Sequence, residues 1–137
     1  MLSPSVFSPA QKSFVSVLVA QRAIDGIMYI SLVDRLDDLL RESPMLSLSA
    51  AARRLGVSGR TLQREVARTG QSFVARRGEI RCDIACHRLL STRDKISAIG
   101  SDIGFNSPSH FAGWFKQRVG VTPRELRAHA ELHRLAR

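Results

Sequence analysis

The sequence predicts an all-α fold, and three observations carry that expectation. No stretch sustains the alternation of apolar and polar residues that marks a half-buried strand. Apolar residues recur instead at spacings of three and four. Serine or threonine stands ahead of most of these runs and glycine behind several, as caps do at the two ends of helices.

The elements follow in order. Residues 1–10 carry Pro4, Pro9 and three serines and read as a loose end, followed by a helix expected over 10–24. Leu32, Leu36, Leu39 and Leu40 fall on one helical stripe, with Asp34 near its start and Arg41 near its end, as the helix dipole favours. Ser43-Pro44 ends that helix. Ser49 is expected to cap Ala50–Leu55, closed by Gly56, and Ser58 to cap Gly59–Arg68, stopped by Gly70. Ser72 starts a long helix to about Leu90, with Phe73, Ile80, Ile84 and Leu89 as its apolar stripe and Ala85 alongside. Lys95–Asp102 is a short helix ended by Gly104. Ser107 with Pro108 opens the next, which carries Phe111, Phe115 and Val119 at spacing four. Thr122-Pro123-Arg124-Glu125 is a capping box that begins the last helix.

Charge narrows the function classes. Lys and Arg number 21 against 12 Asp and Glu, a formal net charge of +9 over 137 residues. Such a surface attracts polyanions. Residues 1–45 hold four cations and five acids, so the remaining 92 residues carry a net +10. Cys82 and Cys86 are too few for a secreted disulfide framework, and reduced cytoplasmic thiols are the simplest reading. The apolar stretch 14–33 is interrupted by Gln21, Arg22 and Asp25 and fails both as a membrane span and as a signal peptide. No glycine-rich phosphate loop or nucleophile elbow is present, so no enzymatic reading is supported. His87, His110, His129 and His133 form no metal motif, and no cofactor is expected.

An internal repeat carries the function. Residues 52–66 and 100–115 each read as a short helix, a glycine-containing turn and a capped helix. Gly56 matches Gly104. With one extra residue in the second turn, Ser58 matches Ser107, Leu62 matches Phe111 and Val66 matches Phe115. This is helix-turn-helix grammar twice in one basic chain. Each second helix would offer its N-terminal half to a major groove. Arg60, Gln63 and Arg64 share one face, opposite Leu62 and Val66; Arg can read guanine edges and Gln adenine edges. The connecting helix of 19 residues spans about 28 Å at ~1.5 Å per residue. That approaches the ~34 Å of one DNA turn, so two successive major grooves come within reach.

The chain here resembles the DNA-binding domain of AraC/XylS-type transcription regulators. The resemblance runs from about 47 to 127 and rests on 52–64 (ARRLGVSGRTLQR), 69–73 (TGQSF), 103–111 (IGFNSPSHF) and 115–127 (FKQRVGVTPRELR). It implies a seven-helix, two-subdomain bacterial regulator that binds promoter DNA, often beside RNA polymerase. It also implies Arg60, Gln63 and Arg64 as base readers in the first unit, and Ser109, His110 and position 113 in the second. The family commonly has arginine at this last position; this chain has Gly113, which cannot reach a base edge. The full DNA-facing set is therefore expected to be Ser58, Arg60, Thr61, Gln63 and Arg64, with Ser107, Ser109, His110 and Lys116 in the second unit acting mainly on phosphates.

The expected division is an N-terminal helical extension, 1–45, and a DNA-binding part, 46–137. Within the latter, the helix-turn-helix units fall at about 49–69 and 95–119, joined by a connecting helix at about 72–91. Forty-five residues are too few for the ligand-binding barrel of larger relatives, so the chain reads as a short regulator or as a C-terminal piece of a longer one. Its N-terminal helices are candidates to pack on the first unit or to pair two chains. Several plainer readings stand beside these. Trp114 is expected to pack rather than stack on bases. Arg76, Arg77 and Arg81 on the connecting helix could face phosphates or solvent. A helical protein-interaction module competes with the regulator, and a thiol or metal sensor at Cys82 and Cys86 is the weakest alternative.

Overall fold

A computed structural model describes residues 30–136, which form seven α-helices and no strand. These are α1 (Leu32–Glu42), α2 (Leu48–Leu55), α3 (Gly59–Ala67), α4 (Phe73–Ser91), α5 (Ile96–Asp102), α6 (Pro108–Val119) and α7 (Pro123–Leu135). The helix expected over 10–24 lies outside the described residues.

The caps expected from sequence define most of the helix starts. The hydroxyls of Ser58, Ser72 and Ser107, and that of Ser31, a cap not among those expected, each accept a backbone N–H three residues on, at 3.0–3.1 Å. At α7 the box is complete: Thr122 Oγ1 accepts from Glu125 N at 3.1 Å, and Glu125 Oε1 accepts from Thr122 N at 2.8 Å. One cap differs from expectation. Ser47, not Ser49, caps the second helix, accepting from Ala50 N at 3.1 Å, so α2 begins at Leu48. Both serines suit an N-cap; Leu48, packed on the core beside Ala51 and Ala52, draws the helix one turn-fraction earlier. α5 begins after Lys95 with no side-chain cap.

The helices enclose two apolar clusters. The first gathers Leu36 and Leu40 of α1, Ala51, Ala52 and Leu55 of α2, Leu62 and Val66 of α3, and Phe73 and Ile80 of α4. The second gathers Ala85 and Leu89 of α4, Ile99 of α5, Ile103 and Phe105 of the following turn, and Phe111 and Phe115 of α6. Ile84 packs against both, so α4 serves one core with its first half and the other with its second. Val119, expected on the α6 stripe, is instead exposed. Steps of four residues drift by about 40° each, and the third has turned off the core face.

The repeat is kept in backbone detail. Val57 N donates to Ala52 O at 3.0 Å and Phe105 N to Gly100 O at 2.9 Å, closing the same turn after α2 and α5. Gly56 and Gly104 both take φ near the left-handed region, +75° and +101°. The extra residue of the second unit is thus placed after Phe105. The cores have also exchanged volume. Leu62 and Ala52 occupy the first, Phe111 and Gly100 the second, and a Cβ on Gly100 would lie 2.7 Å from the Phe111 ring.

Candidate nucleic-acid interface

α3 and α6 are the second helices of their units, and each turns one face to its core. Successive residues on a helix are about 100° apart. On α3, Arg60, Gln63 and Arg64 therefore occupy a single arc of about 100°, opposite the buried Leu62 and Val66. All three are exposed, and neither guanidinium forms an ion pair or hydrogen bond among the described residues. Ser58 accepts from Thr61 N and donates its proton to Thr61 Oγ1 at 3.0 Å. That leaves the Thr61 hydroxyl proton available to another acceptor.

Because Ser58 and Ser107 cap the two helices alike, 60, 63 and 64 correspond to 109, 112 and 113. The equivalent arc of α6 thus carries Ser109, Ala112 and Gly113, all small. A Cβ added at Gly113 would meet nothing within 4 Å. Lys116 lies on the same arc, near the far end of the helix. The Glu125 carboxyl is held below its ordinary pKa first by the Thr122 backbone and hydroxyl, and further by the nearby Lys116 charge. Ser107 Oγ accepts from His110 N at 3.1 Å, leaving its own proton free to donate. His110 is exposed on the flank of the arc, its ring edge-on to Phe105 with centroids 5.2 Å apart. The structure thus brings Ser107, Ser109 and His110 together at the start of α6 and sets Lys116 apart from them.

Trp114 packs, as expected. Its ring lies 4.9 Å from that of Phe105, and the guanidiniums of Arg81 and Arg118 sit 5.3 and 5.2 Å from it. Both readings of the connecting-helix arginines are corrected. Arg76 forks onto Asp37 at 2.6 and 2.8 Å, Arg77 Nη1 donates to Leu46 O at 2.9 Å, and Arg81 Nε donates to Ile103 O at 2.9 Å. Sequence could not place these partners, which lie 22 to 39 residues away. Further arginines are used internally. Arg88 bridges Asp94 and Asp102, and Arg127 donates to the carbonyls of Leu89, Thr92 and Asp94 at the end of α4. The net charge therefore overstates the cations left free at the surface.

Cys82 and Cys86 lie one turn apart on α4, each partly buried and reduced. Their thiols interact with each other, which pushes the pKa of Cys82 down and that of Cys86 up. Among the described residues, no group of three or more metal-ligating side chains gathers there or elsewhere. No helix among them is long and apolar enough to cross a membrane.

Comparison with known proteins agrees with this geometry. A family model described as a helix-turn-helix domain matches residues 51–129. The ornithine utilization regulator of Pseudomonas aeruginosa is 30% identical over 89 residues, which cover 65% of this chain and 26% of that protein. The chain thus spans about a quarter of that relative's length. A Chromobacterium violaceum transcriptional regulator, described with AraC-type DNA-binding domain-containing proteins, is 31% identical with a TM-score of 0.62, over 72% of this chain and 88% of that one. The DNA-binding domain of AdpA, solved with a target DNA, shares the fold at 21% identity and a TM-score of 0.66, over 77% and 97% of the two chains. With two helix-turn-helix units joined by one long helix and a family model spanning both, the chain belongs to the AraC-type helix-turn-helix regulators.

Proposed function

We propose that the chain regulates transcription by binding double-stranded promoter DNA with α3 and α6 in successive major grooves, and that it reads the two half-sites unequally. The observation that carries this reading is the contrast between equivalent arcs: Arg60, Gln63 and Arg64 on α3 against Ser109, Ala112 and Gly113 on α6. Long forked or amide side chains can reach base edges, and short ones cannot. In this reading Ser58 and Thr61 hold phosphates beside α3, while Ser107, Ser109, His110 and Lys116 grip the backbone at the second half-site. Residues 46–137 form the DNA-binding unit and 1–45 an extension that pairs chains or packs on the first unit. The site of action is the cytoplasm, beside RNA polymerase.

Selection from a randomised duplex pool, repeated across salt concentrations, tests the proposal. The expected outcome is an enriched motif with high information in one half-site, weak information about one helical turn away, and a steep salt dependence. Equal information in both half-sites would overturn the unequal reading. A steep slope without any motif would reduce the activity to non-specific attraction.

A further inference from the structure

The two cores share little besides Ile84, yet the units touch directly. Met45, in the loop between α1 and α2, lies over Gly104 in the turn of the second unit, where a Cβ would overlap the Met45 thioether. Beneath that contact, Arg77 and Arg81 stand one turn apart on α4. Arg77 reaches Leu46 O of the first unit, and Arg81 reaches Ile103 O of the second. Each guanidinium is braced on an aromatic ring of its own side, Arg77 at 5.7 Å from the Phe73 centroid and Arg81 at 4.6 Å from that of Phe105. Arg118 of α6 closes the seam, lying over Trp114 and against Gly78, where no Cβ would fit without displacing it.

We infer that Arg77 and Arg81, with the Met45–Gly104 contact, form a latch that fixes the rotation of one helix-turn-helix unit against the other and so sets the half-site spacing the protein accepts. The inference rests on the proposed two-groove reading. Its physical basis is geometric. A shift of one base pair moves a half-site by about 3.4 Å and rotates it by about 35°, since a turn holds 10–10.5 pairs over about 34–36 Å. A single helix, hinged between two small cores, could absorb part of that change by bending or slipping. Two arginines that tie both units to adjacent turns of the same helix face oppose it. Placing them together has a cost, because Arg81 is partly buried and lies near the like charges of Arg77 and Arg118, which together lower its pKa. Among the described residues, neither guanidinium is spent on an ion pair with a carboxylate. Both instead grip backbone carbonyls, whose positions report the rigid path of each unit rather than a mobile side chain.

The test uses the full chain in two measurements. In a Cys82→Ser, Cys86→Ser background, spin labels at Arg68→Cys and Gln117→Cys, both exposed, report the separation of α3 and α6 without DNA. The parent is expected to give one narrow distance distribution, and Arg77→Ala, Arg81→Ala or both a broadened or shifted one. Met45→Ala, at a residue 45% exposed, tests the same seam if an arginine variant fails to fold. The second measurement binds unlabelled protein to duplexes whose half-sites are moved by one or two base pairs. The parent should lose about three- to fivefold on the first shift, the most its weakly read second half-site can supply, and the latch variants less than about twofold, with affinity for an isolated first half-site unchanged. Distance distributions unaltered in both width and position, or an unaltered spacing penalty, would overturn the inference. If the parent selects no duplex sequence, the functional reading fails, while the distance distributions still decide whether the latch exists.

Discussion

α3 and α6 are the same element built twice, and they agree where they face the core and differ where they face outward. Ser58 and Ser107 cap them with the same bond, and Leu62 and Val66 take the places of Phe111 and Phe115. On the other arc, two arginines and a glutamine stand against a serine, an alanine and a glycine. Helix architecture fixes the first set, because a buried position must be filled and the free N–H groups at a helix start are stabilised by a capping oxygen. Nothing comparable fixes the second. An exposed arc is constrained only by what it touches, and the proposed unequal reading of the two half-sites rests on that difference.

The comparison can be broken or sharpened by substitution. The largest effect is expected in the cores. Phe111→Ala should destabilise by about 3–5 kcal/mol and Leu62→Ala by about 2–5 kcal/mol, read by chemical denaturation. A loss below about 3 kcal/mol at Phe111 would mean that the pocket around Gly100 collapses onto the shorter side chain. Next comes DNA. Arg64→Ala should weaken the cognate site by about 1–3 kcal/mol and relax base choice at one pair in a binding-site scan. A loss uniform across all sequences would make Arg64 a phosphate contact. The caps should be matched: Ser58→Ala and Ser107→Ala are each expected to cost about 1 kcal/mol of stability. Of the two, only the first should also alter the placement of a reading helix, visible as lower information at its half-site. Smallest is Gly113→Ala, expected to stabilise by about 0.5–1 kcal/mol in thermal unfolding, since the glycine is mid-helix and its surroundings are open. Any destabilisation would show that the backbone there needs glycine for another reason.

Much of this fold is legible in the sequence because its signals are local. A cap and its N–H lie three residues apart, and an apolar stripe repeats every turn, so helix order and the repeat emerge from short windows. Even there, Ser47 and Ser49 are chemically equivalent caps, and only the packing of Leu48 separates them. The α3 arc is equally legible, because helical geometry alone groups Arg60, Gln63 and Arg64. The arginines of α4 are not. Arg77 and Arg81 are bound to carbonyls of distant segments, and every residue has a carbonyl, so no residue type announces the partner. Charge counting cannot distinguish an arginine that meets phosphate from one that ties two loops together.

Gly113 has one more consequence. Its Cβ position opens onto empty space, in a helix whose cap and core contacts lie elsewhere. Most side chains could therefore be accepted there without repacking. A glycine codon of the GGN type becomes an arginine codon by a single nucleotide change. The second half of the repeat is thus a reserve of evolvability: one mutational step would put an arginine on the outer arc of α6 with the scaffold left as it stands, and under the proposed two-groove reading that arm would add an operator preference.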